Sequence, residues 1–263
     1  MEIKLAVIGG TGFYEPGLLD QSKEIEVETE YGLSRLLTGT YQKQKIAFLT
    51  RHGAKHSLPP HKINYRANIA ALKKLGVERV LSTTAVGSLR QEYAPGTFVV
   101  IDQFIDQTKT RVDTFFDGED GAVYHTDFTE PYCPQLRNSL GRHFNKQGLA
   151  YVDKGTYICT EGPRYESPAE IKAFRTWGAD VVGMTGVPEV TLAREAGLCY
   201  SSLSLVTNLA AGISKSHLTH KEVIDMVDEK ISIIREVFLD VLVTLPDERN
   251  CRCWEKEDIE LGG

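Results

Sequence analysis

The stretch KLAVIGGTG, Lys4 to Gly12, decides the fold: an apolar run, Leu5 to Ile8, unbroken by polar residues, stops abruptly at a glycine turn. A short continuous apolar run suits a strand covered on both faces, as in the sheet of an α/β protein. The same pattern returns in KIAFLT, RVLSTTAVG, TFVVIDQFI, GTYICT, DVVGMT and CYSSLSLVT. Each is short, rich in β-branched residues and bounded by Gly or polar turns, which predicts strands. Helical spacing lies between several of them, with Ile69, Leu72 and Leu75 inside Tyr65 to Leu75, then Pro168 to Trp177 and Pro188 to Ala196. One longer stripe, Val223, Val227, Ile231, Ile234, Phe238 and Val241, predicts a helix from about 219 to 244. Thr219 and Glu222 fit a capping box at its start, with His220 in the first turn. The expected fold is therefore α/β, a twisted mixed β-sheet flanked by helices.

The 263 residues are 41% hydrophobic and 25% charged, enough to bury a sizeable core. No shift in composition marks an internal boundary, so a single domain is expected over 1–246, followed by a polar tail over 247–263 that carries a Cys-x-Cys pair. The net charge of −6, with no long Lys/Arg run, argues against a nucleic-acid backbone as the main ligand. The N-terminal MEIKLAVIGG leads straight into a strand without the basic region and cleavage site of a signal peptide, and no apolar run reaches the roughly 18 residues of a membrane span. A cytoplasmic protein is expected.

The interval Asp106 to Pro134 has scattered aromatics, Gly and charge with weak periodicity, which predicts a functional loop or an interface excursion. Cys133, Cys159 and Cys199 lie within or beside apolar segments, where a small buried thiol is the expected role. Cys251-Arg-Cys253 sits in a polar setting and admits three readings: a redox-labile disulfide, a metal contact, or neither.

Several strand ends carry groups suited to an anion. Gly9-Gly10-Thr11-Gly12 is not a dinucleotide fingerprint, because G-x-G-x-x-G counted from Gly10 and Gly12 reaches Glu15. A glycine turn with a hydroxyl at its tip can still wrap a lone phosphate through exposed amides. In RHGAKH, Arg51 to His56, Arg51 and His52 follow KIAFLT and offer a guanidinium fork and an imidazole. Thr84 and Ala85 stand near the end of RVLSTTAVG, and Thr185 ends DVVGMT. Together they describe a phosphate cradle without a P-loop lysine, which points to phosphate as a substrate rather than as part of ATP.

GGTG, LTRHG, HKINYRANIAALKKLG, TTAVGSLR, PGTFVVIDQFID, EGPRYES, FRTWGADVVGMTGVPEVTLAREAG and SLVTN, taken together, resemble the trimeric purine nucleoside phosphorylases, on the branch shared with methylthioadenosine phosphorylase. The likeness runs from about residue 3 to 243. It implies the single-domain nucleoside phosphorylase fold and phosphorolysis of a purine nucleoside to free base and sugar 1-phosphate, with inorganic phosphate as co-substrate and neither metal nor organic cofactor. By that resemblance Thr11, Arg51, His52, Thr84, Ala85 and Thr185 bind phosphate, Met184 lies under the ribose, and Asn208, His52 and Arg51 carry catalysis.

Three positions then separate the branches of this family. Where the methylthioadenosine enzymes end the SLVT strand in an Asp-x-Asp pair suited to an amino group, this chain has Asn208-Leu209-Ala210. An Asn amide can donate to O6 and accept from a protonated N7, as a 6-oxopurine requires. Glu166 replaces a small serine and resembles the Glu that accepts from N1–H in the 6-oxopurine enzymes, with Tyr165 beside it stacking on the base. On residues alone, the favoured reading of Glu166 is a helix-cap or surface acid before Pro168. His220 in THKEV resembles the His that binds an unmodified ribose 5′-OH. The expected substrates are inosine and guanosine. The alternatives are a methylthioinosine or methylthioadenosine phosphorylase and, from another class, a nucleotide-binding regulatory or oxidoreductase domain. A trimer or a dimer of trimers is implied, in which the loop bearing His125 and Phe128 completes a neighbour's sugar pocket.

Overall fold

The computed structural model describes residues 2–10, 13, 17–53, 57–118, 124–213 and 219–255, with His220 described by its backbone alone. They contain nine strands: β1 Leu5–Gly9, β2 Asp20–Thr29, β3 Gly32–Tyr41, β4 Gln44–Thr50, β5 Arg79–Ser88, β6 Phe98–Gln107, β7 Tyr151–Thr160, β8 Val181–Gly183 and β9 Cys199–Leu209. The helices are α1 Tyr65–Lys74, α2 Pro134–Gln147, α3 Pro168–Thr176, α4 Gly186–Glu195 and α5 His220–Thr244. The strands form one mixed sheet in the order β2-β3-β4-β1-β5-β8-β7-β6-β9, and β9 returns to pair with β5. That last pairing closes β5, β8, β7, β6 and β9 into a ring, leaving β1 to β4 as a wing.

Strand β1 shows why its sequence is apolar throughout. Successive side chains of a strand point to opposite faces. Ala6 and Ile8 join one core with Ile69 and Leu72 of α1 and Val190 and Leu192 of α4. Leu5 and Val7 join the other with Leu136, Leu140 and Phe144 of α2 and Phe238 and Val241 of α5. Both faces are buried, so no polar alternation survives. Phe238 is fully buried, and truncating such a ring to Ala costs about 3–5 kcal/mol.

All seven expected strands form, and the four expected helices sit within a few residues of their predicted bounds. Three elements were not expected, β2, β3 and α2. The hairpin β2–β3 turns through Glu30 and Tyr31, and β2 is an edge strand whose Lys23, Glu24, Glu26 and Glu28 keep it from reading as core. Helix α2 buries only Leu136, Leu140 and Phe144 of its longer side chains amid polar neighbours, so its stripe is thin in the sequence. The described residues of the long loop after β6, 108–118 and 124–133, are irregular, as expected.

The polar C-terminal segment is largely exposed over its described part but is anchored at particular points. Arg79 Nη2 donates to the carbonyls of Pro246 and Asp247, each at 2.8 Å, and Cys253 is buried.

Candidate active site

Strand β5 builds the site by changing neighbours. Its first residues, Arg79 to Ser82, pair with β1, whereas Gly87 and Ser88 pair with β8. Thr83 to Val86 lie between these pairings, keep β9 on their other side, and line a cavity of about 480 Å³. Ligands of α/β sheets collect where strands part in this way. Gly10 after β1, Arg51 and His52 after β4, Thr84 and Ala85 of β5, and Thr185 after β8 all border that cavity. Thr11 lies outside the described residues.

Arg51 is buried, and most of its donors are already engaged. Nε donates to Glu189 Oε2 at 2.6 Å, Nη2 to Glu189 Oε1 at 2.8 Å and to Ser82 Oγ at 2.6 Å, and Nη1 to the Thr83 carbonyl at 3.0 Å. Glu189 also accepts from Ser82 Oγ and Tyr200 Oη. Desolvation opposes the charge on Arg51, but the carboxylate field and hydrogen bonds of Glu189 outweigh it and hold the guanidinium above its ordinary pKa. The fork expected to face phosphate oxygens thus faces Glu189, because a buried cation needs a paired anion. Four of the five N–H donors are used in these bonds, leaving one Nη1 hydrogen for a ligand.

The other anion-side residues are similarly supported. His52 Nδ1 lies 2.8 Å from the Leu58 carbonyl, which can only accept, so Nδ1 carries the hydrogen. Thr84 Oγ1 shares a hydrogen bond with Ser204 Oγ at 2.8 Å. At the start of α4, the amides of Thr185 and Gly186 donate to Tyr157 Oη. A Cβ on Gly183 would overlap that hydroxyl, so only glycine permits this packing.

The cavity is also bordered by Tyr165, Glu166, Met184, Asn208 and Ala210. Glu166 Oε1 accepts from Thr160 Oγ1 at 2.6 Å. Burial raises its carboxyl pKa, and the Thr160 hydrogen bond opposes that shift. It is not the helix cap: Ser167 and Glu170 form the complete capping box of α3. Asn208 is oriented by its neighbours, with Oδ1 accepting from Thr207 Oγ1 at 2.9 Å and Nδ2 donating to the Leu209 carbonyl at 3.1 Å. Val223, Ile224 and Val227 of α5 border the cavity too, with Asp228 as the charged residue among them.

Two expected substrate contacts are not brought into the cavity. Leu209 does not border it, although Thr207, Asn208 and Ala210 do. His125 is exposed and away from its own chain's cavity, while Phe128 packs edge-on against Phe104. His220 opens α5, but its side chain lies outside the described residues.

Sequence reasoning missed Glu189 and Arg111. Glu189 had a signal, an acid among apolar residues in GVPEVTLA. Arg111 had none, since it sits in the irregular loop. Its Nη1 donates to the Val187 carbonyl at 2.6 Å and to Tyr65 Oη at 3.1 Å, and its Nη2 to the Glu161 carbonyl at 2.8 Å. It thereby ties the loop to the segment that leads to Glu166.

A family model described as the phosphorylase superfamily matches residues 4–243. The "Probable 6-oxopurine nucleoside phosphorylase" of Dictyoglomus turgidum is 56% identical over 251 residues, covering 95% of each chain. The "6-oxopurine nucleoside phosphorylase" of Pyrococcus furiosus is 48% identical, covering 95% of this chain and 96% of its own. Among solved structures, the methylthioadenosine phosphorylase of Schistosoma mansoni in complex with adenine superposes with a TM-score of 0.88 at 32% identity, covering 94% of this chain and 93% of that one.

Proposed function

This chain belongs to the phosphorylase superfamily, and from that footing we propose that it is a 6-oxopurine nucleoside phosphorylase, converting inosine or guanosine and phosphate to free base and ribose 1-phosphate. The observation that carries the choice of base is that Asn208, Glu166 and Ala210 all line the one cavity. A 6-amino group needs acceptors. Asn208 instead offers a donor for O6 and an acceptor for a protonated N7, and Glu166 accepts from N1–H.

In the reaction the C1′–N9 bond breaks with its electron pair passing to the purine, and a phosphate oxygen forms the new bond to C1′. Positive charge develops on the ribose and negative charge on the base, so stabilisation on both sides matters more than a protein nucleophile. Phosphate would be held by Thr84 and Thr185, the remaining Arg51 hydrogen, His52, and the Gly10–Thr11 turn, close to the cationic sugar. Met184 lies under the ribose, Tyr165 stacks on the base, and Asn208 stabilises the base as N7 takes a proton from water. Phosphate is a co-substrate here, and the chemistry calls for no resident cofactor. The assembly is a homotrimer or a dimer of trimers, in which His125 serves a neighbour's sugar pocket. A cytoplasmic location accompanies this reading, and among the described residues no helix is long and apolar enough to cross a membrane.

The apolar α5 wall of Val223, Ile224 and Val227 favours a second reading, a 5′-methylthio nucleoside with the same 6-oxo base. Both are tested by measuring base release from inosine, guanosine, adenosine, methylthioinosine and methylthioadenosine, each with and without phosphate. Phosphate-dependent cleavage of inosine and guanosine supports the proposal. Preference for methylthioinosine transfers it to the second reading, and cleavage of the adenine nucleosides refutes the roles given to Asn208 and Glu166.

A further inference from the structure

Outside the cavity, Cys133, Cys199, Cys251 and Cys253 converge so that all four Sγ atoms lie within 4.8 Å of one another. We propose that these four cysteines form a structural zinc site. They come from three separate places: Cys133 precedes α2, Cys199 opens β9, and Cys251 and Cys253 belong to the C-terminal segment.

Zinc bound by four thiolates is tetrahedral with Zn–S near 2.3 Å, which sets the sulfurs about 3.8 Å apart. The Cys199–Cys251 pair stands at 3.4 Å and no pair exceeds 4.8 Å, so small side-chain adjustments suffice. The backbone positions do not depend on the sulfurs. The Cys133 amide donates to the Tyr200 carbonyl at 2.8 Å, and Arg79 fixes the carbonyls of Pro246 and Asp247. The protein therefore presents the ligands before any ion arrives.

An all-sulfur set without carboxylate or imidazole selects a soft or borderline ion over magnesium or calcium. Cys133, Cys199 and Cys253 are buried, and four protein ligands leave no open position, which marks a structural rather than a catalytic ion. None of the four borders the cavity. Two disulfides would each need one sulfur pair at about 2.05 Å and would not require all four to meet. Simple core filling does not explain two cysteines drawn inward from a polar segment with only Arg252 between them. Zinc would staple the C-terminal segment to the starts of α2 and β9.

The test uses the full chain, reduced and held under argon, titrated with Zn2+ against a chromophoric chelator and, in parallel, with Co2+. The expected result is uptake of one zinc per chain. Co2+ should give the sulfur-to-metal charge-transfer and intense visible bands of a tetrahedral thiolate site, and the Cys251→Ser/Cys253→Ser variant should lose both. The wild-type titration stands by itself if that variant fails to fold. No stoichiometric uptake, uptake of iron in place of zinc, or two disulfides mapped by mass spectrometry in protein purified under argon would each overturn the proposal.

Discussion

Arg51 and Glu189, 138 positions apart in the chain, meet through two hydrogen bonds of 2.6 and 2.8 Å with both side chains buried. The pair fixes the end of β4 against α4, and it also sets which part of the guanidinium can still reach an anion.

Glu189→Gln keeps the shape of the acid but leaves Arg51 as a buried cation without its counter-charge. Removing one partner of a buried pair costs about 3–5 kcal/mol. Urea unfolding of the variant should show a loss of that size, and the KM for phosphate should rise more than the KM for nucleoside. Unchanged stability would mean that water or another acid compensates Arg51.

Asn208→Ala removes the amide that faces the departing base. Loss of one such donor typically costs about 2.7–4 kcal/mol of barrier, so turnover of inosine should fall by roughly 10²–10³. Steady-state kinetics with phosphate in excess measures this, and near-normal kcat would refute the role.

Glu166 yields a pH prediction. Burial raises its pKa in the folded protein, so as pH rises through the ordinary carboxylate range the unfolded chain loses this proton first, and stability is lost. Glu166→Gln does not titrate and can keep the hydrogen bond from Thr160. The variant should melt at a higher temperature than the parent at pH 7, and the gap should close below about pH 4, where both folded and unfolded Glu are protonated. Its cleavage of inosine and guanosine should weaken at the same time. A stabilising effect that persists at low pH would place its origin elsewhere.

Gly87→Ala tests the support of Asn208 without touching it. A Cβ there would stand 3.2 Å from Asn208 Nδ2 and 3.3 Å from Val182 Cγ1, tight enough that one must move. Small misplacement of a catalytic group can cost up to about 10²-fold, so kcat should fall by about tenfold to a hundredfold while the KM for phosphate stays near the parent value. Because unfolding would also lower kcat without moving KM, the folded fraction is measured by circular dichroism alongside; a fully folded variant with near-parent kcat would refute the support given to Asn208.

The α/β architecture was legible because buried strands and amphipathic helices must write their burial into local patterns. KLAVIGG is apolar on both faces, CYSSLSLVT is buried on both with small serines among its apolar residues, and the α5 stripe runs from Val223 to Val241. The β2–β3 hairpin and α2 escaped because an edge strand guards itself with charge, and a thin apolar stripe is diluted by polar neighbours. At the site, residue types at strand ends were visible from Gly10 to Asn208, but Leu209 was expected at the substrate and does not border the cavity. The sequence could not show that Glu189 claims the Arg51 fork or that Arg111 anchors the loop, although Ser167 and Glu170 do carry the capping-box spacing of α3. Nor could it show that Cys133, Cys199, Cys251 and Cys253 share one small space. A local pattern records which face of an element is buried. Which charge neutralises which, and which sulfurs meet, depends on segments brought together only when the sheet closes, and no spacing along the chain encodes that encounter.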